Sequence, residues 1–257
     1  MSPLVMAGHG LNRASTFPNY GLSLMKNIKF PCIDVSDGTI EALKWTAMIL
    51  MVLAHINKYY FLDRLPVLYE LGRLSMPLFG FILAYNLARP GIKQSGGYMR
   101  IIRRLGVFGL IASPFYIILG GRNIAFGFWP LNIMFMLLLA AAIISFIEKG
   151  GILSIFLAGL LFLVGGAFVE YWWFALAFCL AAWWYCKSPG LLPFAFLIVS
   201  TALLYIINGN FWAMAVLPIV YASQYIDFKM PRFRHMFYYF YPAHLAVLWA
   251  LSVFFVK

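Results

Sequence analysis

The chain has 257 residues, of which 64% are hydrophobic, 19% aromatic and only 11% charged. A soluble globule of this size needs more polar surface than that, so composition excludes a soluble enzyme and points to an integral membrane protein. The formal charge of +11 comes from basic residues grouped between apolar runs, which is the pattern of membrane topology and speaks against a nucleic-acid partner.

Residues 1–39 carry no long apolar run and no signal-peptide pattern, and read as a cytoplasmic, loop-rich N-terminal arm. Residues 40–257 form the transmembrane domain, with apolar runs over 40–58, 66–88, 101–119, 131–147, 151–169, 171–186, 190–207, 211–225 and 235–256. The runs are continuous and do not alternate with a period of two, which excludes a barrel. The expected fold is all-α: a polytopic bundle of about nine spans, several short or broken and sheltered by neighbours. With the N-terminus cytoplasmic, only Lys58, Arg64, Arg122 and Lys257 of the basic loop residues fall outside. That asymmetry fixes the orientation and a multi-pass position in contact with membrane lipid.

The first run, IEALKWTAMILMVLAHINKYY, places Lys44 and His55 in an otherwise apolar helix. Ionisable groups at bilayer depth are costly and mark functional positions. Their spacing corresponds to about 16 Å along a helix axis, so one lies toward each face of the membrane. An elongated substrate suits such a pair. In the second run, Glu70 and Arg73 are three residues apart and imply an intramembrane ion pair, either pinning helices or serving the site, with Pro77 kinking the helix beside His55. At the next entrance, YMRIIRRLG sets Arg100 and Arg103 on one side of a first turn with Arg104 beside them. Guanidiniums there grip phosphates or satisfy positive-inside topology. Asn132 and Asn86 are helix-bonding residues or site lining, and Asn57 joins the candidate lining. The last run, PRFRHMFYYFYPAHLAVLWAL, carries His235 near the entrance and Tyr241 and His244 further in, where His244 is a packing histidine or a catalytic one. The odd cysteine count and the spacing of Cys179 and Cys186 give no support to a metal site or a disulfide framework.

The segments KWTAMILMVLAHINKYY, GRLSMPLFGFILAYNLAR, LNIMFMLLL and FYPAHLAVL, in that order, resemble the TraX family of conjugation-system membrane proteins over most of residues 40 to 252. The basic residue, ten-residue interval and histidine of the first span, with R-x-x-R at a later entrance, also look like the membrane acyltransferase-3 superfamily. The resemblance implies a bacterial inner-membrane acyltransferase that moves acetyl from acetyl-CoA to the N-terminal amine of a conjugative pilin subunit. It nominates His55 as the base and Lys44, Arg100 and Arg103 as contacts to acetyl-CoA; beside these, the basic cluster adds Arg104 to the cofactor contacts, and Arg73, Glu70 and His244 join the candidate catalytic set. Ala54 stands where the family has an acidic residue immediately before the histidine. A pilin-maturation protein with another reaction, such as peptide cyclisation, and a proton-coupled transporter remain alternatives.

Overall fold

The computed structural model describes residues 30–120, 129–233 and 235–255, with a compact unit from Pro31 onward. Residues 1–29 of the expected arm lie outside the described residues. Helix α1 (Asp37–Tyr60) starts where the Ser36 hydroxyl accepts the Thr39 N–H at 3.3 Å, with Asp37 in the first turn beside the positive end of the helix dipole. The second run is two helices, α2 (Pro66–Gly72) and α3 (Ser75–Ala88). Pro77 has no N–H to donate to the Arg73 carbonyl four residues earlier, and the chain tightens there instead, with Arg73 and Leu74 bonding back three residues to Glu70 and Leu71. The break therefore precedes Pro77.

The chain continues through α4 (Gly97–Gly120), α5 (Ile133–Lys149) and α6 (Ile152–Leu160), which runs into a wide π turn at Leu161–Gly165. It then forms α7 (Trp172–Lys187), α8 (Leu191–Leu203), the single turn α9 (Tyr205–Asn208), a 3-10 turn at Trp212–Ala215, α10 (Val216–Ser223) and α11 (Met236–Phe255). Among the described residues there is no strand, only an isolated parallel bridge between Leu131 and Val169. The protein is an all-α membrane protein. Among the described residues, five stretches are long and apolar enough to cross a bilayer: α1, α2 with α3, α4, α8 with α9, and α11.

The centre of the bundle is α3, α5 and α7, whose Leu78, Met136, Ile144, Leu176 and Phe178 are fully buried. α11 packs chiefly along α4, and α1 along α2 and α3. Two close backbone approaches fix the surroundings of α1. At Gly72, an added Cβ would come within 2.5 Å of the Ala54 Cβ, so α2 crosses α1 in direct backbone contact. At Gly38, a Cβ would fall 1.7 Å from the Phe228 carbonyl oxygen, because the extended segment 226–233 lies across the start of α1. That segment is stitched down by three bonds: Thr39 Oγ1 donates to Ile226 O at 2.5 Å, Phe228 N–H to Thr39 Oγ1 at 3.2 Å, and Phe233 N–H to Glu41 Oε1 at 3.2 Å.

Candidate functional site

A cavity of about 500 Å³ opens between α1, α3, α4, α5, Arg232 of the 226–233 segment, His235 and α11, within the size range of pockets for extended small molecules. Lys44, Arg89, Arg100, Arg104 and Arg232 reach it, joined by His235. Its inner part is apolar and adaptable, with Met48, Met51, Met134, Phe79 and Phe237 among its walls. α4 contributes Gly97, Arg100, Ile101, Arg104 and Leu105, a stripe at helical spacing. The pair that shares the cavity is thus Arg100 and Arg104, one turn apart. Arg103 is exposed and does not line the cavity.

Three of these cations, Lys44, Arg89 and Arg232, are held in place by acids. Lys44 Nζ lies 3.0 Å from the buried Glu41 carboxylate and 5.0 Å from the centroid of the Phe237 ring. Asp37 takes Arg89 at 2.5 Å and Arg232 at 3.9 Å. Sequence reasoning missed Arg89 and Arg232, which end one helix and sit in the stitched segment, so only the tertiary fold brings them here.

The cavity stops at Met51, Ile133, Met134 and Tyr241, one helical turn short of His55 on α1. There His55 Nδ1 and His244 Nε2 are 2.8 Å apart with the two rings coplanar within 1°. His244 Nδ1 is 3.1 Å from the Phe240 carbonyl oxygen, which can only accept, so that nitrogen carries the hydrogen. Nε2 of His244 must then accept from the Nδ1–H of His55, which leaves a free lone pair on His55 Nε2. Tyr241 stands edge-on to His244 with ring centroids 5.3 Å apart, and Tyr59 lies 5.7 Å from His55. His55, which follows Ala54, thus has its hydrogen-bond partner in His244, from the far end of the chain.

The other predicted residues are engaged elsewhere. Glu70 and Arg73 form no ion pair among the described residues, contrary to the sequence expectation, because Arg73 sits at the break between α2 and α3. Its guanidinium lies 3.8 Å over the Tyr69 ring. Asn57 is fully buried with both amide groups tied to the Leu65 backbone, at 3.0 and 3.1 Å, and closes the loop after α1. Asn132 caps α5 by accepting the Met134 N–H, and its amide donates to Gly109 O and Ser113 Oγ. Both asparagines hold structure and do not line this cavity, whereas Asn86 does.

Glu170 was not anticipated from the sequence. It lies in the link before α7, half-buried, with its N–H donating to Leu131 O at 2.9 Å. Burial pushes its carboxyl above the ordinary value, opposed by the charges of Lys58 and Arg73. Among the described residues no group of three His, Cys, Asp or Glu side chains is placed to hold a metal.

A helical membrane protein with a cation-rimmed cavity ending a turn short of a hydrogen-bonded histidine pair is the class these features define. The chain belongs to the TraX family: residues 39–252 match the family model described as TraX protein. It is similar to a probable fimbrial assembly protein, FimC of serogroup H1, from Dichelobacter nodosus, with 27% identity over 85% of this chain and 97% of that one. It is also similar to Protein TraX of Escherichia coli, with 32% identity over 44% of this chain and 42% of that protein. No solved structure matches.

Proposed function

We propose that the protein is a multi-pass acetyltransferase of the bacterial inner membrane, which acetylates the N-terminus of a pilin subunit using acetyl-CoA as donor. Family membership and the fimbrial-assembly relative support a role in pilin maturation. The observation that carries the reaction is the cavity, with Lys44, Arg89, Arg100, Arg104 and Arg232 reaching it and its floor one turn from His55. In this reading the basic mouth faces the cytoplasm, with the N-terminus on the same side, in accord with the positive-inside rule.

The phosphates of acetyl-CoA match the guanidiniums by charge-assisted, bidentate bonds, and its near-neutral pantetheine arm matches the methionine and aromatic walls. The thioester reaches His55 when the Met51 side chain and its neighbours give way, a movement for which an unbranched thioether is well suited. The acceptor amine attacks the thioester carbonyl, forming the C–N bond as the C–S bond breaks. His55 Nε2 takes the proton leaving nitrogen and returns it to the departing thiolate, so that the products are an acetamide and the free CoA thiol. His244 holds His55 in the tautomer this needs and shares the positive charge while it lasts.

The mass of mature pilin from cells with and without the protein tests the reaction. A gain of one acetyl group that depends on the protein is expected. Loss of water from the pilin, or no change, overturns acetyl transfer.

A further inference from the structure

One polar group in the cavity floor takes no part in the proton transfer. Tyr241 lines the cavity and also stands edge-on to His244, with ring centroids 5.3 Å apart. Phe240 does both as well, stacking on His244 at 5.5 Å, but its side chain carries no hydrogen-bond donor. Helical spacing accounts for the shared position. Tyr241 and His244 are three residues apart on α11, and Met51 and His55 are four apart on α1, so each cavity residue lies on the same face as the histidine one turn further along. The histidines meet at 2.8 Å, which brings α1 and α11 together there. An acyl arm passing Met51 toward His55 therefore runs beside Tyr241.

The Tyr241 side chain is buried, at 4% exposure, yet its hydroxyl makes no hydrogen bond among the described residues. A buried phenol ordinarily finds a partner. Tyr60, which joins the same two helices, donates to Leu248 O at 2.6 Å. Nor is the Tyr241 hydroxyl sealed in, since the side-chain atoms enclosed without a partner belong to Trp45, Arg73, Trp183 and Asn208. It keeps room for an acceptor. A phenol is a donor at neutral pH, and a donor fixed in apolar surroundings stabilises charge developing on an oxygen without reorganising. We infer that Tyr241 is the oxyanion donor of the site. As the acceptor nitrogen adds to the thioester carbonyl carbon, the carbonyl π pair moves onto oxygen, and the Tyr241 O–H donates a hydrogen bond to it. The phenol keeps its proton, and the pair returns to re-form the C=O bond as the thiolate departs. This role rests on the acetyl-transfer reading.

The test uses the full-length protein in lipid nanodiscs, with acetyl-CoA and a short peptide bearing a free α-amine. Tyr241→Phe keeps the ring against His244 and removes only the donor, so kcat should fall by about 10²-fold. The KM for acetyl-CoA, its affinity by calorimetry and the pH–rate profile should not change, because the base and the basic mouth are untouched. Wild-type kcat in folded Tyr241→Phe, or a loss shared with acetyl-CoA affinity, overturns the assignment. Should that variant not fold, difluorotyrosine at the same position asks the same question. Its more acidic phenol ionises at lower pH and then cannot donate, so turnover should fall at alkaline pH where that of the wild type does not. A profile matching the wild type overturns the assignment. Wild-type protein that transfers no acetyl group removes the reaction itself, whereas transfer that Tyr241→Phe leaves intact removes Tyr241 alone.

Discussion

The two ends of this bundle are built on opposite principles. At the basic end, Lys44, Arg89, Arg100, Arg104 and Arg232 come from several segments and share one cavity, so the loss of any one leaves the others. At the histidine end a single file of bonds runs from the Phe240 carbonyl through His244 to His55, and each link fixes the tautomer of the next. Redundant charge gives graded binding. A serial chain of hydrogen bonds gives an outcome that any one substitution can abolish.

Removing the end of that file should have the largest effect. His55→Gln keeps polar volume but not the proton-accepting nitrogen, and turnover of acetyl-CoA with a free-amine peptide should fall by about 10²- to 10⁴-fold in a folded preparation. Wild-type turnover in that variant would sink the mechanism. His244→Ala should cost on the order of 10- to 100-fold, the usual loss when a partner that orients a working histidine is removed. It should also alter the pH–rate profile while sparing acetyl-CoA binding, and a loss confined to thermal stability would make His244 a packing residue. Ala54→Asp, which restores the family's acid, should not raise activity. Its carboxylate meets Gly72 and should destabilise the fold by about 1–3 kcal/mol, measured as a lowered Tm, and a stable, faster variant would refute the substitution of His244 for that acid. At the basic end Arg104→Glu should weaken acetyl-CoA binding by roughly 10-fold in a salt-sensitive way. Arg103→Glu should leave it nearly unchanged, and equal losses in calorimetry would restore Arg103 to the cavity.

Much of the basic end was legible in the sequence, because charged residues stand out against apolar runs. Lys44 and Arg100 were visible for that reason. What was missed at α4 is a matter of angle, since Arg104 lies in the stripe and Arg103 just beside it, and only the neighbouring helices decide which one faces the cavity. Glu70 and Arg73 misled because a spacing of three implies a shared face only along an unbroken helix, and Pro77 interrupts this one at Arg73. The histidine pair could not be read as a pair, with 189 residues between its members. Glu170 had a faint signal: it is the only acid between Glu148 and Asp227. It fell in the gap between two expected spans, where a charge looks ordinary. Asn57 and Asn132 show the limit from the other side, since a buried amide caps a helix or closes a loop as readily as it binds a ligand.

The floor made by Ile133 and Tyr241 also bears on the cell's energy supply. The two side chains are 9% and 4% exposed, so an ion drawn in by the basic mouth meets an aliphatic chain and a buried phenol in place of a water file. Across an energised membrane, each leaked charge would dissipate about 2.3 kcal/mol per 100 mV. On the acetyl-transfer reading, a passage stoppered except while the acyl arm fills it would let a carbon fragment cross without short-circuiting the proton gradient.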